Sequence, residues 1–147
     1  MPIKAAISST YIVQGLNPHE ITMLAEISEL TTFDGGSTLM RQHEMSSDLM
    51  IVIEGGARIL TTHGEEIAVL GPGSLVGEIA MLDNEPRSAT VTCAGKSKLV
   101  VIPGAKLKAL FLQTPHIELV MLRNLTKALC KHVRMANIQL DDLRRTN

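Results

Sequence analysis

Hydrophobic residues recur at helical intervals near the start of the chain, in the segment NPHEITMLAEISEL. The apolar positions of this segment that fall on one face of a helix are Ile21, Leu24, Ile27 and Leu30. Asn17 is a good N-cap, Pro18 suits the first helical position, and Glu20 completes a capping box. The pattern predicts an N-terminal helix over residues 17–30.

Between residues 36 and 102 the pattern changes to short apolar runs separated by glycine-containing turns. The strand-like runs are TLMR, DLMIVIEG, ARILTT, EEIAVL, ATVTCA and KLVVI. Six or more short strands at this spacing are typical of a β-sandwich or a double-sheet jelly roll. The sequence therefore predicts a mainly β protein, in which residues 36–102 form a double-stranded β-helix, or jelly-roll barrel, with flanking helices.

After Pro103 the helical pattern returns and continues over residues 103–145. The run PGAKLKALFLQ predicts a short helix that ends at Thr114. Pro115 suits the first turn of a second helix, which is predicted to run to about residue 143. At about 1.5 Å per residue this helix would be roughly 40 Å long, which is more than one small barrel requires.

The long helix carries two apolar stripes. One repeats every seven residues, like a coiled-coil seam with one polar position, and consists of Leu119, Leu122, Thr126, Leu129, Val133, Ala136, Leu140 and Leu143. The other is suited to packing on the barrel and consists of Ile117, Met121, Leu125 and Ala128. The helix therefore either lies along its own domain or pairs in parallel with a second copy, and its excess length favours a homodimer.

The composition of the 147-residue chain suits a single domain over residues 1–147, with 45% hydrophobic and 20% charged residues. The net charge of −1 gives no electrostatic reason to expect binding to nucleic acid or to a membrane surface. No apolar stretch is long enough to span a bilayer, and the N-terminus shows no signal-peptide pattern. Cys93 and Cys130 form no CxxC pattern, which argues against a disulfide scaffold or a zinc site and favours the cytoplasm.

The candidate chemistry lies in residues 76–91, which read VGEIAMLDNEPRSATV. A glycine-containing turn leads into EIAML, and the first amides of such a helical turn are unpaired donors that attract an anion. Arg87 follows the loop DNEP and brings a planar donor fork that suits phosphate. Glu78 only accepts hydrogen bonds, so it suits a sugar hydroxyl. Together these groups fit a small phosphorylated ribose, and the alternative interpretation is a simple salt bridge between Glu78 and Arg87.

The stretch LGPGSLVGEIAMLDNEPRSATV resembles the phosphate-binding cassette of the cyclic nucleotide-binding domain family. This family occurs in bacterial catabolite-activator-type regulators, in protein kinase A regulatory subunits and in cyclic nucleotide-gated channels. The positions that match the family pattern are Gly77, Glu78, Ile79, Ala80, Pro86, Arg87, Ser88, Ala89 and Thr90. The spacing of Glu78 and Arg87 is similar to that of the kinase and channel branch, and the overall layout of helices and strands also resembles the family.

The resemblance implies a role for each residue of the cassette. Glu78 would accept from the ribose 2′-hydroxyl, Arg87 would pair with the cyclic phosphate, and Gly77 would permit close approach of the backbone. The residues whose backbone amides would complete the phosphate cradle are Ile79, Ala80, Ser88 and Ala89. The implied ligand is cAMP, with cGMP as the alternative, and no cofactor or metal is implied.

The chain departs from the family pattern at two positions. Val76 stands where phenylalanine is common, and His43 stands near a position where glycine is usual. The chain also has no aromatic residue near its end to stack on a purine. The contact to the base therefore stays open among Thr126, His132 and Arg134.

These observations predict a stand-alone bacterial regulatory module that binds cAMP and signals through its C-terminal helix to a protein that the sequence does not identify. No metal-ligand set, P-loop or nucleophile elbow points to an enzyme. The chain ends at Asn147, where the helix-turn-helix domain of the family's transcription factors would begin, so DNA binding is not expected. The alternative hypothesis is a structural interaction subunit with a vestigial cassette.

Overall fold

The computed structural model describes residues 2–146, the last of them by its backbone alone. The chain begins with helix α1 (Pro2–Ser8), a 3-10 helix (Tyr11–Val13) and helix α2 (Pro18–Glu26). The first two of these elements were not predicted. A seven-residue helix is too short to be stable alone, and α1 is held by tertiary packing through its buried residue Ile7.

Helix α2 begins as predicted but ends early. The Oδ1 atom of Asn17 accepts from the N–H of Glu20 at 2.8 Å, and the N–H of Asn17 donates to Oε1 of Glu20 at 3.0 Å. The predicted end at residue 30 is wrong, because α2 ends at Glu26 and residues 29–33 form a strand. Leu30 is paired in a sheet there, so tertiary strand pairing overrides the local helical pattern.

Within residues 2–146, eight strands form two four-stranded antiparallel sheets. The strands are β1 (Glu29–Phe33), β2 (Thr38–Met40), β3 (Leu49–Glu54), β4 (Ala57–Leu60), β5 (Glu66–Leu70), β6 (Leu75–Val76), β7 (Thr90–Cys93) and β8 (Ser97–Ile102). One sheet has the order β1-β8-β3-β6 and the other has the order β2-β7-β4-β5. This arrangement confirms the predicted jelly roll with flanking helices.

Strand β3 shows how the barrel joins the helices. Leu49 and Ile51 belong to a core that is shared with the helices, whereas Met50 and Val52 belong to the core between the two sheets. Successive side chains of a strand point to opposite faces, so a strand that is covered on both faces needs a continuous apolar run. The run LMIVI of β3 meets this need, and the barrel is thereby fixed against the helical layer.

Three helices follow the predicted pattern in the second half of the chain. A one-turn helix, α3 (Ala80–Asp83), lies within the cassette, and α4 (Gly104–Gln113) and α5 (Pro115–Thr146) follow the barrel. Helix α5 has 32 residues and is therefore roughly 48 Å long. Residues 130–145 are all exposed, so the last part of α5 extends past the barrel.

The two stripes of α5 differ in their burial. Ile117, Met121 and Leu125 are fully buried in the core that the helices share with the barrel. On the seam, by contrast, Leu119 is 52% exposed and Val133 is 60% exposed. Within the part of the chain that the structure describes, no helix is both long and apolar enough to cross a membrane.

Candidate ligand-binding site

The predicted site residues lie around one cavity. Its volume is about 230 Å³, which is below the roughly 300–1,000 Å³ that is usual for ligand pockets. All seven predicted binding residues line it: Gly77, Glu78, Ile79, Ala80, Arg87, Ser88 and Ala89. Strand β6 and helix α3 bring the first four together, and the segment that leads into β7 brings the last three.

Gly77 occupies a position that only glycine fits. Its φ angle is +85°, in the left-handed region that L side chains rarely adopt. A Cβ atom at this position would lie 2.6 Å from Nη1 of Arg87 and 2.9 Å from the main-chain oxygen of Asp48. The backbone at Gly77 therefore packs closely against Arg87 and against the loop that holds Arg87.

Arg87 is buried and held by main-chain oxygens. Its side chain donates from Nη1 to the oxygen of Gly77 at 3.0 Å and from Nη2 to the oxygen of Asp48 at 2.6 Å. A third, longer contact joins Nη2 to the hydroxyl of Ser46 at 3.3 Å. Only 6% of the residue is exposed. These contacts fix the guanidinium beside the cavity before any ligand arrives.

The backbone of Arg87 is fixed by the turn after β2. The N–H of His43 donates to the oxygen of Arg87, and the N–H of Arg87 donates to the oxygen of Glu44, both at 2.8 Å. His43 adopts a φ angle of 72°, the left-handed conformation that glycine adopts freely. The turn therefore forms even though histidine stands where the family usually has glycine.

One donor of Arg87 has no partner. Its Nε atom is buried and makes no hydrogen bond, although a buried N–H group without a partner is costly. Burial lowers the pKa of the guanidinium, while the charges of Asp48, Glu44 and Glu78 act in the opposite direction. A buried cation that is bonded to carbonyls and lacks a contacting carboxylate is well suited to receive an anion.

Glu78 is partly buried and is not ion-paired with Arg87. The ion pairs in the described part of the chain are Arg58–Glu66, Glu20–His116 and Asp141–Arg145. The interpretation of Glu78 and Arg87 as a simple salt bridge is therefore wrong. Burial raises the pKa of the Glu78 carboxyl, and a bond from its own backbone amide and the charges of Arg87 and His132 partly offset this rise. The carboxylate is left available as an acceptor on the cavity wall.

Helix α3 places free amides at the cavity. The N–H of Met81 donates to the oxygen of Glu78 at 3.1 Å and begins the hydrogen bonds of this turn. The amides of Ile79 and Ala80 precede that bond, as the unpaired amides at the start of a helix do. Both residues line the cavity, as does the exposed residue Ser88.

The remaining wall of the cavity is mostly aliphatic. The apolar residues that form it are Met40, Ile59, Leu70, Leu75, Val76 and Val91. Among residues 2–146, no aromatic side chain lines the cavity. A flat ligand would therefore rest on aliphatic side chains.

Sequence reasoning missed three residues near the site. Ser46 and Asp48 bind Arg87, and Asp48 does so through its main-chain oxygen, which any residue type could supply. Tyr11 is distant from Glu78 in sequence, yet burial, and after it the charge of Glu78, raises the pKa of the Tyr11 phenol. The sequence carried no signal for any of the three.

The three candidates for the base contact lie on α5, outside the residues that line the cavity. Thr126 and Arg134 are exposed, and Thr126 donates to the oxygen of Leu122 at 2.7 Å. His132 lies near enough to Glu78 for its charge to lower the pKa of that carboxyl. The charge of His132 therefore acts on a cavity residue, but His132 does not itself line the cavity.

The two sheets and the flanking helices define a jelly-roll domain with a cavity beside its cassette. The model of the cyclic nucleotide-binding domain family matches residues 30–114, which is more than half of the chain. The chain therefore belongs to the cyclic nucleotide-binding domain family. The domains of this family are regulatory and are not themselves enzymes.

A relative with a similar sequence is the cyclic AMP receptor protein of Thermus thermophilus. It is 28% identical to this chain over 134 residues, which cover 88% of this chain and 60% of the relative. The chain thus spans less than two thirds of the length of that relative.

Solved structures show the same fold. The catabolite activator protein of Thermus thermophilus has a TM-score of 0.72 and 28% identity, with 90% of this chain and 62% of that chain covered. A cyclic nucleotide-binding domain from Methylobacillus flagellatus has a TM-score of 0.76 and 20% identity, with coverages of 93% and 83%. The regulatory domain of Toxoplasma gondii protein kinase A with cAMP has a TM-score of 0.68 and 22% identity, with coverages of 74% and 42%.

Proposed function

We propose that this chain is a sensor that binds cAMP in its cassette and signals through α5. The observation that carries the proposal is the unpaired Nε–H of the buried residue Arg87, which lines the cavity of the cassette. A guanidinium that is held by carbonyls is fixed in direction and keeps its positive charge, which a phosphate can neutralise. This preorganisation argues against the alternative of a vestigial cassette.

The ligand is oriented by groups of opposite character. The cyclic phosphate accepts from Arg87 and from backbone amides, and the ribose 2′-hydroxyl donates to Glu78. The residues that supply the amides are Ile79, Ala80, Ser88 and Ala89. The base then lies against the aliphatic wall, near the hydroxyl of Ser88.

The preference for cAMP over cGMP is supported by relatives. The Thermus thermophilus relative is a cyclic AMP receptor protein, and the Toxoplasma gondii regulatory domain was solved with cAMP. The aliphatic wall has no preference of its own for one purine. Binding of cGMP is therefore tested alongside binding of cAMP.

The output of the sensor is carried by α5 in a homodimer. The seam residues Leu119, Val133 and Leu140 are each at least half exposed, at 52%, 60% and 60%. Pairing of two such helices in parallel would bury this stripe. Ligand binding then shifts the equilibrium between two positions of α5, which a downstream protein detects.

We place the sensor in the cytoplasm because Cys93 and Cys130 are both unpaired, as a reducing compartment favours.

A thermal-shift titration tests the proposal. A ligand at a hundred times its dissociation constant should stabilise the folded state by about 2.7 kcal/mol. We expect cAMP to raise the melting temperature. We expect 5′-AMP, which lacks the cyclic phosphodiester ring, to raise it much less. If neither cAMP nor cGMP changes the melting temperature at millimolar concentration, the chain is a non-binding interaction subunit.

A further inference from the structure

The cavity of the cassette is lined by more negative than positive charge. Its charged lining residues are Glu78, Asp83, Glu85 and Arg87, so three carboxylates stand against one guanidinium. The proposed function uses Glu78 and Arg87 but gives no role to the two acids at the end of α3 and in the loop after it. An anion that enters this cavity is attracted by one group and repelled by the carboxylates that it does not bind.

The loop that carries these two acids has a defined conformation. Helix α3 ends at Asp83, and Asn84 then adopts a left-handed conformation with a φ angle of 52°. Oδ1 of Asp83 accepts from the N–H of Glu85 at 3.1 Å. Glu85 precedes Pro86, and a residue before proline is restricted to extended conformations. The fold of the loop therefore sets the positions of both acids at the cavity.

The charges of the two acids are not neutralised by a neighbouring side chain. In the described part of the chain, no ion pair involves Asp83 or Glu85. Lys108 of α4 reaches the same loop, but its Nζ atom donates to Oδ1 of Asn84 at 3.3 Å. Arg87, by contrast, is only 6% exposed, and its Nε atom has no partner. The cavity thus combines one buried positive charge with two exposed negative charges on the loop.

We infer that Asp83 and Glu85 are specificity-determining residues, which make the cassette select a phosphodiester with one negative charge over a phosphomonoester with two. This inference rests on the proposed function. A cyclic phosphate carries a single charge, which Arg87 matches. A phosphomonoester carries a charge of about −1.5 to −2 at pH 7, because its second pKa is about 6. The additional charge finds no second cation among the lining residues and is repelled by the acids of the loop.

Charge is a useful criterion for this site because 5′-AMP has the same base and ribose as cAMP. An aliphatic wall and a ribose-binding carboxylate offer little to distinguish two ligands that share these parts. Specificity is a difference between affinities, and repulsion of the wrong ligand increases it as attraction of the right one does. The two acids would supply that repulsion without contacting the phosphate.

Three adenine nucleotides separate the effect of charge from that of the ring. The ligand cAMP is cyclic with one charge, 5′-AMP is open with two, and the methyl ester of 5′-AMP is open with one. Their dissociation constants are measured by competition against a fluorescent cAMP analogue at low ionic strength, where exposed charges are least screened. The methyl ester and 5′-AMP both lack the ring, so a difference in how they respond to a variant reports on charge.

The test variant is the double substitution Asp83→Asn/Glu85→Gln, which keeps the shape of both side chains and an oxygen acceptor at residue 83. We expect it to bind the two monoanions about two- to fivefold more tightly than the wild type, and 5′-AMP more tightly by about that factor again, the size of exposed charge interactions. The control Asp34→Asn/Glu65→Gln removes the same charge from exposed residues that do not line the cavity. It should bind all three ligands like the wild type.

Several outcomes would overturn the inference. One is an equal gain for 5′-AMP and its methyl ester in the test variant, including no gain for either. Another is a gain of the same size in the control, which would show an effect of net charge alone. Calorimetry of the wild type with cAMP and cGMP separates these outcomes from failure of the proposed function. If neither ligand binds, the proposed function fails and the inference fails with it, whereas a wild type that binds cAMP with unchanged selectivity in the variant refutes the inference alone.

Discussion

The Nη2 atom of Arg87 donates to the main-chain oxygen of Asp48 at 2.6 Å, while the carboxylate of Asp48 accepts from the amide of Gly104 at 2.8 Å. The carboxylate of Asp48 therefore binds the start of α4. It leaves the positive charge of Arg87 without a contacting counter-ion. Carbonyl oxygens fix the direction of a guanidinium but do not neutralise it. This division of roles within one residue prepares the cavity for an anion.

The geometry at Gly77 predicts that Gly77→Ala is strongly destabilising. The added Cβ would meet Nη1 of Arg87 at 2.6 Å and a main-chain oxygen at 2.9 Å, on a backbone with a φ angle of +85°. The matched control is Gly64→Ala, because Gly64 has a φ angle of +81° but no atom within 4 Å of its Cβ position. Urea denaturation should show a loss for Gly77→Ala that exceeds that of the control by about 2 kcal/mol or more. Equal losses would mean that the close packing around Arg87 is absent in solution.

The contact between Glu20 and His116 predicts an acid-sensitive link between α2 and α5. Nδ1 of His116 lies 2.6 Å from Oε2 of Glu20. This hydrogen bond, followed by the bond from the Asn17 amide, lowers the pKa of Glu20 from its ordinary value of 4.5. An acid with a lowered pKa in the folded state contributes stability above its ordinary pKa, and that stability is lost as the pH falls through the lowered value.

We therefore expect the stability of the wild-type chain to fall more steeply than that of Glu20→Gln between about pH 5 and about pH 3. The control is Glu26→Gln, since Glu26 is exposed at the end of the same helix. Chemical denaturation at several pH values measures the slopes. Identical slopes for Glu20→Gln and the wild type would contradict the assignment.

The seam of α5 predicts that Val133→Glu separates the proposed dimer. A charge in the apolar seam of two paired helices would be buried without a partner, which is costly. The control is Met135→Glu, because Met135 is also exposed, at 49%, but lies off the seam. Light scattering after size exclusion should give a monomer for Val133→Glu and a dimer for the wild type and the control. A monomeric wild type, or a dimeric Val133→Glu, would exclude this interface.

Local pattern was sufficient to predict the capping box and the last two helices, because each depends on residues that are close in sequence, and the short apolar runs between turns indicated the jelly roll. It was insufficient for Leu30, which has a helical neighbourhood but pairs with β8. The helical spacing of the apolar residues around Leu30 carries no information about β8, which lies far along the chain. Only the tertiary pairing decides the outcome.

The candidate site shows the same limit. We predicted from the residue types and spacing of Glu78 and Arg87 that both would line one cavity. Both residues do line the cavity. The groups that orient Arg87 are main-chain oxygens, and a carbonyl has no signature in the sequence. Tyr11 was missed because its position depends on how the 3-10 helix packs on α5.

The most direct test is the affinity for cAMP of Arg87→Gln, measured by titration calorimetry beside the control Arg58→Gln. Both changes remove one positive charge, but the side chain of Arg58 is 41% exposed and is paired with Glu66 at 2.8 Å. Circular dichroism and the melting temperature confirm that each variant is folded. The account predicts that Arg87→Gln loses at least about tenfold in affinity, as the loss of a charge-assisted hydrogen bond implies, while Arg58→Gln binds like the wild type. Unchanged affinity in a folded Arg87→Gln would contradict it.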